Sequence, residues 1–146
     1  MAAAKNERGL TLIEVLAVMA VLSILAAIAV PTFLKTIDGM RKQAYVANAL
    51  ALKDAAAFYI KDLIVHEEEV PAEITYNLLV EQKYIEGIKD PDTKAMWDRY
   101  NTSYLTTEGE TVSKVCMHGD KRNLCGDDGR TAVSVHKLAK EDVIDK

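Results

Sequence analysis

The sequence predicts an α+β fold, in which one long amino-terminal helix packs against a small antiparallel sheet of about three strands. Three observations support this prediction. Residues 10–30 are an almost unbroken apolar run, the segment after Gly39 has apolar residues at helical spacing, and the texture becomes strand-like from Thr102. Hydrophobic residues make up 49% of the chain but aromatic residues only 6%, which suits a helix rich in Ala, Val and Leu better than a large aromatic core.

The apolar run is long enough to cross a membrane. At 1.5 Å per residue it forms roughly 30 Å of helix, about the thickness of a bilayer's hydrocarbon core. Only Thr11, Glu14 and Ser23 interrupt its hydrocarbon character. A carboxylate at the bilayer centre costs about 2.5–3.5 kcal/mol on insertion scales. Glu14 lies near the start of the run, where the cost is smaller, but a buried acid still requires a partner.

Two ordinary interpretations of this segment remain open on its physical chemistry alone. In the first, it is a secretory signal, with Lys5 and Arg8 as its basic region and Ala-Ile-Ala at 27–29 as its cleavage site. The run is longer than the usual apolar region of a signal, and Pro31 follows the cleavage site closely. In the second, residues 10–30 are a plain membrane anchor and Glu14 is an incidental interfacial charge.

The helix is expected to continue beyond the apolar run and to end near residues 65–69. Pro31 removes one backbone donor and should kink or loosen the helix, and Gly39 is a second soft point. An apolar stripe is expected to face the core. Its members, spaced three or four residues apart, are Phe33, Ile37, Met40, Ala44, Ala47, Ala51, Ala55 and Phe58.

The remaining residues predict a short second helix and a small sheet. The helix falls within residues 72–86, with Thr75 or Asn77 as its cap and Gly87 at its end. Three strands are expected at residues 103–107, 111–117 and 131–136, the first two joined as a hairpin. Residues 142–146 form a polar tail that is expected to fray.

The amino-terminal residues resemble those of a known family. Gly9 and Leu10 open the run GLTLIEVL, which follows a short basic leader. This run resembles the amino terminus of type IV pilins and type II secretion pseudopilins. In that family a prepilin peptidase cuts after the glycine and N-methylates the new first residue, and the apolar helix stays in the product. The resemblance implies cleavage between Gly9 and Leu10, methylation of Leu10, and a role for Glu14 and Pro31 in assembly and register.

Cleavage at this position has a physical consequence for Glu14. It creates a free amine at Leu10, about one helical turn before the carboxylate. In a lone subunit this amine could lie near its own Glu14, and in a staggered bundle it could meet the Glu14 of a neighbour. A desolvated amine–carboxylate pair is favourable, whereas either charge alone in lipid is penalised. The pair therefore rewards a correct stagger between subunits.

The resemblance implies a division of the chain and a function. Residues 1–9 are expected to be the prepilin leader, 10–30 the transmembrane and filament-core helix, 31–69 its amphipathic continuation, and 70–146 a small globular head. The protein would be a structural filament subunit of a pilus or pseudopilus, not an enzyme and without cofactors. The alternative is a monomeric extracytoplasmic binding domain, held by an uncleaved signal anchor.

The expected partners follow from this interpretation. They are further copies of the chain in a helical filament, the prepilin peptidase, the assembly machinery of the inner membrane, and the lipid bilayer before assembly. The protein would cross the inner membrane once and then join a cell-surface or periplasmic filament. Lys5 and Arg8 balance Glu7 and Glu14, so the whole formal charge of −4 belongs to residues 31–146. This acidic exterior argues against direct nucleic-acid binding.

The chain has two cysteines, Cys116 and Cys125. A head outside the cytoplasm favours a disulfide between them, and many type IV pilins have a disulfide-closed loop near the carboxy terminus. Closing so short a ring stabilises the fold by roughly 2.5–3 kcal/mol in the chain-entropy model. The rival is a zinc site that adds His118 and His136, although the spacing is not that of common structural zinc sites.

No metal site is expected in the acidic turn near the cysteines. Asp120, Asp127 and Asp128 could ligate calcium, which the major pseudopilins of type II secretion bind in a strand-connecting loop. The calcium-loop pattern D-x-D-x-D-G is missing from the sequence, so a solvated acidic turn is the expectation.

Overall fold

The computed structural model describes residues 11–146. Its two α-helices are α1 (Leu12–Val65) and α2 (Tyr76–Glu81). Its six strands are β1 (Glu73–Thr75), β2 (Tyr104–Glu108), β3 (Thr111–His118), β4 (Arg122–Leu124), β5 (Val133–Ser134) and β6 (Val143–Asp145). Short 3-10 helices cover Val135–Lys137 and Lys140–Asp142. The predicted α+β class is confirmed.

The chain divides into two compact units, Met1–Asp38 and Gly39–Lys146. In the first unit, the described residues form helix alone, and its side chains from Thr11 to Thr36 are all exposed. Pro31 lies inside the helix without ending it. The neighbouring Thr32 hydroxyl donates to the carbonyl of Ile28 at 3.1 Å, a hydrogen bond from a side chain back to the preceding turn of the same helix.

The second unit, Gly39–Lys146, is called the head below. It contains the core, which is formed by the rest of α1 together with the sheet. The side chains that α1 buries recur every three or four residues, as expected for one face of a helix. They are Tyr45, Val46, Ala49, Leu52, Ala55, Ala56, Ile60 and Leu63. The sheet and the loops supply the opposing apolar residues, among them Ile74, Leu105, Val115 and Val143.

The predicted stripe on α1 was wrong in its position around the helix. Of its members only Ala55 is buried, whereas Phe33, Met40 and Phe58 are exposed. Phe33 and Phe58, the two phenylalanines of the chain, belong to this stripe, and neither packs in the core. The buried face is instead anchored by Tyr45, whose hydroxyl bonds to buried carboxylates inside the head. A polar partner elsewhere in the chain thus decided which face turns inward.

The sheet has six strands, not the predicted three. Its order is β1-β2-β3-β4-β6, with β5 also paired to β3, and every pairing is antiparallel. The missed strands β1, β4 and β6 have only three residues each, too few for an alternating pattern to be visible. The tail expected to fray contains β6, in which Val143 pairs with Leu124 and is 1% exposed.

The predicted hairpin is confirmed. Strands β2 and β3 pair from Glu108 opposite Thr111 to Tyr104 opposite Cys116, with an irregularity between Thr106 and Thr107. Gly109 lies in the turn at φ 62°, a left-handed conformation that glycine adopts without strain. The third predicted strand is shorter than expected, because only Val133–Ser134 pairs before the chain enters a 3-10 helix.

The second helix is also shorter than predicted. Thr75 is its cap, since the Thr75 hydroxyl accepts the amide of Leu78 at 3.3 Å. The residues before the cap are extended as β1, and the helix ends at Glu81, well before Gly87. The segment that follows contains Asp90, a fully buried carboxylate.

Asp90 is the polar centre of the head. Its Oδ1 atom accepts the amides of Asp92 and Thr93 at 2.8 and 3.0 Å. Its Oδ2 atom accepts the Tyr45 hydroxyl, the Trp97 indole N–H and the Asp120 amide, at 3.0, 3.3 and 2.8 Å. Burial by itself would raise the pKa of Asp90, but the backbone amides and the indole outweigh it and lower the pKa to about 2.

An ion-pair network adjoins this centre. The side chain of Asp92 is 1% exposed, and its oxygens lie 3.6 Å from Arg41 NH1 and 3.7 Å from Arg122 Nε. Arg122 Nε also lies 2.8 Å from Asp145 in β6. A Cβ atom at Gly119 would lie 2.1 Å from the Tyr45 hydroxyl, so only glycine permits this approach. Through Arg41, Asp92 and Arg122, the ion pairs therefore link α1, the loop that carries Asp90, and strand β6.

We predict that Asp90→Asn destabilises the head by about 2–4 kcal/mol at neutral pH, because the amide group would turn a donor toward donors. The wild type should also lose about 2 kcal/mol as pH falls from the unfolded pKa of 3.8 toward 2, because its lowered pKa stabilises the head only while Asp90 is ionised. Urea unfolding of the full chain in detergent, followed by Trp97 fluorescence, measures both effects.

The matched control is Asp54→Asn, an exposed carboxylate on α1, which should leave the stability within about 0.5 kcal/mol. Asp128→Asn separates a second contribution, because hydrogen bonds from Thr131 and Arg130 also lower the pKa of Asp128 to about 2. An Asp90→Asn variant as stable as the wild type at neutral pH would contradict the prediction.

Candidate assembly site and disulfide loop

The first described residues form a closed hydrogen-bonded cap at the start of α1. Glu14 Oε2 accepts both the backbone amide of Thr11, at 2.8 Å, and its hydroxyl, at 2.7 Å. In return the Thr11 hydroxyl lies 3.3 Å from the amide of Glu14 and accepts from it. This is a capping box, in which a Thr and a Glu three residues later satisfy each other's backbone donors.

The cap gives Glu14 local partners within its own helix. Two donors converge on one carboxylate oxygen, so the charge is partly compensated before any other molecule approaches. The side chain nevertheless remains exposed. Its second oxygen, Oε1, takes part in neither of these two hydrogen bonds.

The helix after this cap is apolar and uncovered. Within residues 11–146, α1 is the helix long and apolar enough to cross a membrane, and none of its most apolar window is buried in the chain. Large side chains such as Leu12, Ile13 and Ile28 are exposed by 82%, 75% and 68%. The segment therefore needs either lipid or other protein around it.

The remaining predicted assembly residues are placed as follows. Pro31 lies within α1 and is exposed. Gly9 and Leu10, the residues expected at the cleavage and methylation site, lie outside the described residues.

The two cysteines form the disulfide that the sequence favoured. Cys116 is in β3 and Cys125 directly follows β4, and their Sγ atoms are 2.01 Å apart. Because β3 and β4 pair with Met117 opposite Leu124, the ladder itself brings the two cysteines together at the end of the paired residues. Both are almost fully buried. The disulfide closes the acidic loop that carries Asp120.

His118 lies against this disulfide. Its Nε2 atom is 3.6 Å from Cys116 Sγ and 3.9 Å from Cys125 Sγ, and it lies 3.2 Å from the carbonyl oxygen of Gly129. The Nδ1 atom is 3.2 Å from the Thr102 hydroxyl. The potential ligand atoms of Cys116, Cys125 and His118 lie within 4.8 Å of one another. His136, the other histidine of the zinc alternative, is exposed and is not one of this cluster.

The acidic residues considered for calcium have other partners. Asp128 accepts the amides of Arg130 and Thr131 and the hydroxyl of Thr131, as in a tight turn. Asp120 accepts the hydroxyl of Thr93. These bonds stabilise the loops that carry the two carboxylates.

Sequence reasoning named two residues of these sites but missed the contacts that they make. Thr11 was treated only as a polar interruption, although Thr-x-x-Glu before an apolar run is the signature of a capping box and could have identified it. His118 was weighed only as a zinc ligand. Its contact with the disulfide depends on the β3–β4 pairing, which was not predicted.

The comparisons with known proteins identify the amino-terminal segment. Residues 4–30 match the family model described as the prokaryotic N-terminal methylation motif. This is the motif of type IV pilin and pseudopilin precursors, so the resemblance seen in the sequence is confirmed. The motif and the apolar helix fit a membrane-anchored precursor. Neither a curated protein nor a solved structure gave a significant match.

We predict that removal of the disulfide destabilises the head without unfolding it. The Cys116→Ala/Cys125→Ala variant should lose roughly 2–3 kcal/mol of unfolding free energy, because the unfolded loop regains its freedom. Urea unfolding of the full chain in detergent measures the loss. Addition of a reductant should shift the midpoint of the wild type but not that of the variant, and equal shifts in both would contradict this prediction.

Proposed function

We propose that this chain, which carries the prokaryotic N-terminal methylation motif, is a type IV pilin-like structural subunit. The precursor is inserted in the membrane through residues 10–30, cut after Gly9 by a prepilin peptidase and methylated at Leu10. It then polymerises through α1 into a pilus or pseudopilus. The function is mechanical, and it requires no catalytic residue or cofactor in the subunit.

The observation that carries this proposal is the methylation motif on a helix that the chain leaves uncovered. A signal sequence that is removed at its end needs no such motif, and a plain anchor needs only lipid. Processing that cuts before the apolar helix retains the helix, so the mature chain keeps a surface that other copies can cover. Lipid or a bundle of such helices can cover this surface and remove it from water.

Exposed apolar residues on α1 beyond the membrane-spanning length also support assembly. Met40, Phe58 and Val65 are exposed by 68%, 63% and 77%. They lie past the residues that lipid would cover, so water is their alternative to a neighbouring subunit. Their burial between copies would add to the free energy of assembly at about 25 cal/mol per Å².

The capping box gives Glu14 a defined state before assembly. Thr11 supplies two hydrogen bonds to Oε2 inside one subunit. After cleavage, the methylated amine of a neighbour supplies a full positive charge, which a hydroxyl cannot. We expect the carboxylate to gain this pair only when the neighbour is correctly staggered, because a misplaced amine stays unpaired in an apolar surrounding. The Glu14–amine pair thus selects the correct stagger between subunits. Until the pair forms, the two hydrogen bonds from Thr11 stabilise the carboxylate.

The proposed function makes two predictions, the first of which concerns processing of the precursor. Purified from a host with a prepilin peptidase, the mature protein should begin at Leu10 and carry one added methyl group, as intact mass and amino-terminal sequencing would show. Gly9→Leu should leave the precursor uncut, whereas Asn6→Ala, a matched change in the leader, should not. A chain that starts at Val30 would indicate a secreted domain, and one that retains Met1 a plain anchor, which is the form the monomeric binding domain would take.

The second prediction concerns Glu14. Glu14→Leu should insert into the membrane as the wild type does but reduce filament yield at least tenfold, because the neighbour's amine loses its partner. Glu14→Gln should also fail, since it keeps an acceptor but not the charge. Filament shearing followed by immunoblotting measures the yield, and carbonate extraction measures membrane insertion.

Ser23→Ala is the matched control, because Ser23 is polar and lies in the same run. Its hydroxyl donates a hydrogen bond to the Met19 carbonyl in its own helix. It should assemble normally. Wild-type filament yield from Glu14→Leu would remove Glu14 from the mechanism while leaving the processing prediction intact.

A further inference from the structure

The disulfide and His118 together contain the donor set of a metal site. All three side chains point to one place, where their ligand atoms lie within 4.8 Å of one another. We propose that the head binds one Zn²⁺ through Cys116, Cys125 and His118 when the two cysteines are reduced. The disulfide and the zinc site use the same sulfur atoms, so the two forms exclude each other.

The distances from nitrogen to sulfur already suit a tetrahedral ion. With Zn–S near 2.3 Å and Zn–N near 2.0–2.1 Å, tetrahedral geometry requires about 3.6 Å between nitrogen and sulfur. His118 Nε2 lies 3.6 Å from Cys116 Sγ and 3.9 Å from Cys125 Sγ. Once the S–S bond is broken, the two sulfur atoms must separate to about 3.8 Å, and side-chain rotation allows this.

The histidine is held in the orientation that zinc ligation needs. Its Nδ1 atom lies 3.2 Å from the Thr102 hydroxyl, a partner that fixes the ring and leaves Nε2 toward the sulfurs. Its backbone is held as well, since its amide donates to the Ser103 hydroxyl at 2.8 Å and its carbonyl accepts from Asn101 at 2.7 Å. A ligand fixed in this way loses little conformational entropy on binding the ion.

The surroundings favour a soft divalent ion. Two thiolates and an imidazole suit Zn²⁺, whereas calcium and magnesium require oxygen ligands. In the disulfide form, Nε2 donates to the carbonyl oxygen of Gly129 at 3.2 Å. On zinc binding the ring proton moves to Nδ1, which then donates to the Thr102 hydroxyl, and the Gly129 carbonyl or a water completes four-coordination. The cysteines are 0% and 2% exposed, so bulk water does not compete at the sulfurs, and the ring of His118 is half-buried.

The dithiol form exists wherever the disulfide has not yet formed or has been reduced. A chain made in a reducing compartment begins as the dithiol. In the experiment, a phosphine attacks one sulfur, the S–S bond breaks, and hydrolysis by one water gives two thiols and one phosphine oxide. The disulfide is reduced by two electrons and the phosphorus is oxidised by two. Zinc binding then releases the two thiol protons to the buffer.

The test uses the full chain in detergent, reduced with a phosphine and then freed of it. A chromophoric zinc chelator serves as the competitor in the titration. The reduced wild type should bind one Zn²⁺ per chain, and the disulfide form should bind at least about tenfold more weakly because its sulfurs are not available as thiolates. His118→Gln should weaken binding to the reduced chain at least tenfold.

The chain offers matched controls, because it has two cysteines and three histidines in all. His66→Gln and His136→Gln alter exposed histidines and should leave zinc affinity unchanged. In the wild type, the imidazole ¹H–¹⁵N spectrum should show zinc moving the Nε2 signal of His118 alone, a readout that needs no variant to fold. The proposal is overturned if the reduced chain does not bind zinc, if another histidine's signal moves, or if all three histidine variants bind alike.

Discussion

The apolar helix without internal cover is the constraint on which the rest of this structure depends. From Thr11 to Thr36, every side chain is exposed. The free energy gained by covering these apolar side chains has to come from outside the subunit, from lipid or from other protein. Glu14 is the one acid in this stretch, and the Thr11 cap makes it tolerable there.

The head has a modest core because it is small. The second half of α1 supplies much of that core, and short strands supply the rest. Short strands hold few ladder hydrogen bonds, so the polar centre at Asp90 and the Cys116–Cys125 disulfide fix the loops between them. Five donors on one buried carboxylate stabilise one arrangement of the loop and penalise others.

The parts of the fold with a long repeating pattern were predictable from sequence. The extent of α1, the hairpin of β2 and β3, and the Thr75 cap all follow from local signals. The inward face of α1 was not predictable in the same way, because Tyr45 turns inward to reach Asp90, a residue far along the chain. Strands β1, β4 and β6 were missed for a related reason, since three residues become a strand only when a partner edge is present.

The same distinction applies to the functional residues. The methylation motif is a contiguous pattern and was found from the sequence, as was Glu14 within it. Thr11 lies in the same contiguous pattern, and a capping box would have been recognised by its spacing alone. His118 beside the cysteines is different, because a β-ladder with Met117 opposite Leu124 sets this neighbourhood. No spacing along the chain encodes that contact.

The position of β6 has a consequence for how the head is made. This strand pairs with β4, and Asp145 forms an ion pair with Arg122 in that strand. Residues 143–145 leave the ribosome after every other strand, and in a head that is exported they cross the bilayer after every other strand too. The edge of β4 that β6 covers therefore stays unpaired until residues 143–145 have been made, so the ladder of β4 cannot be completed earlier.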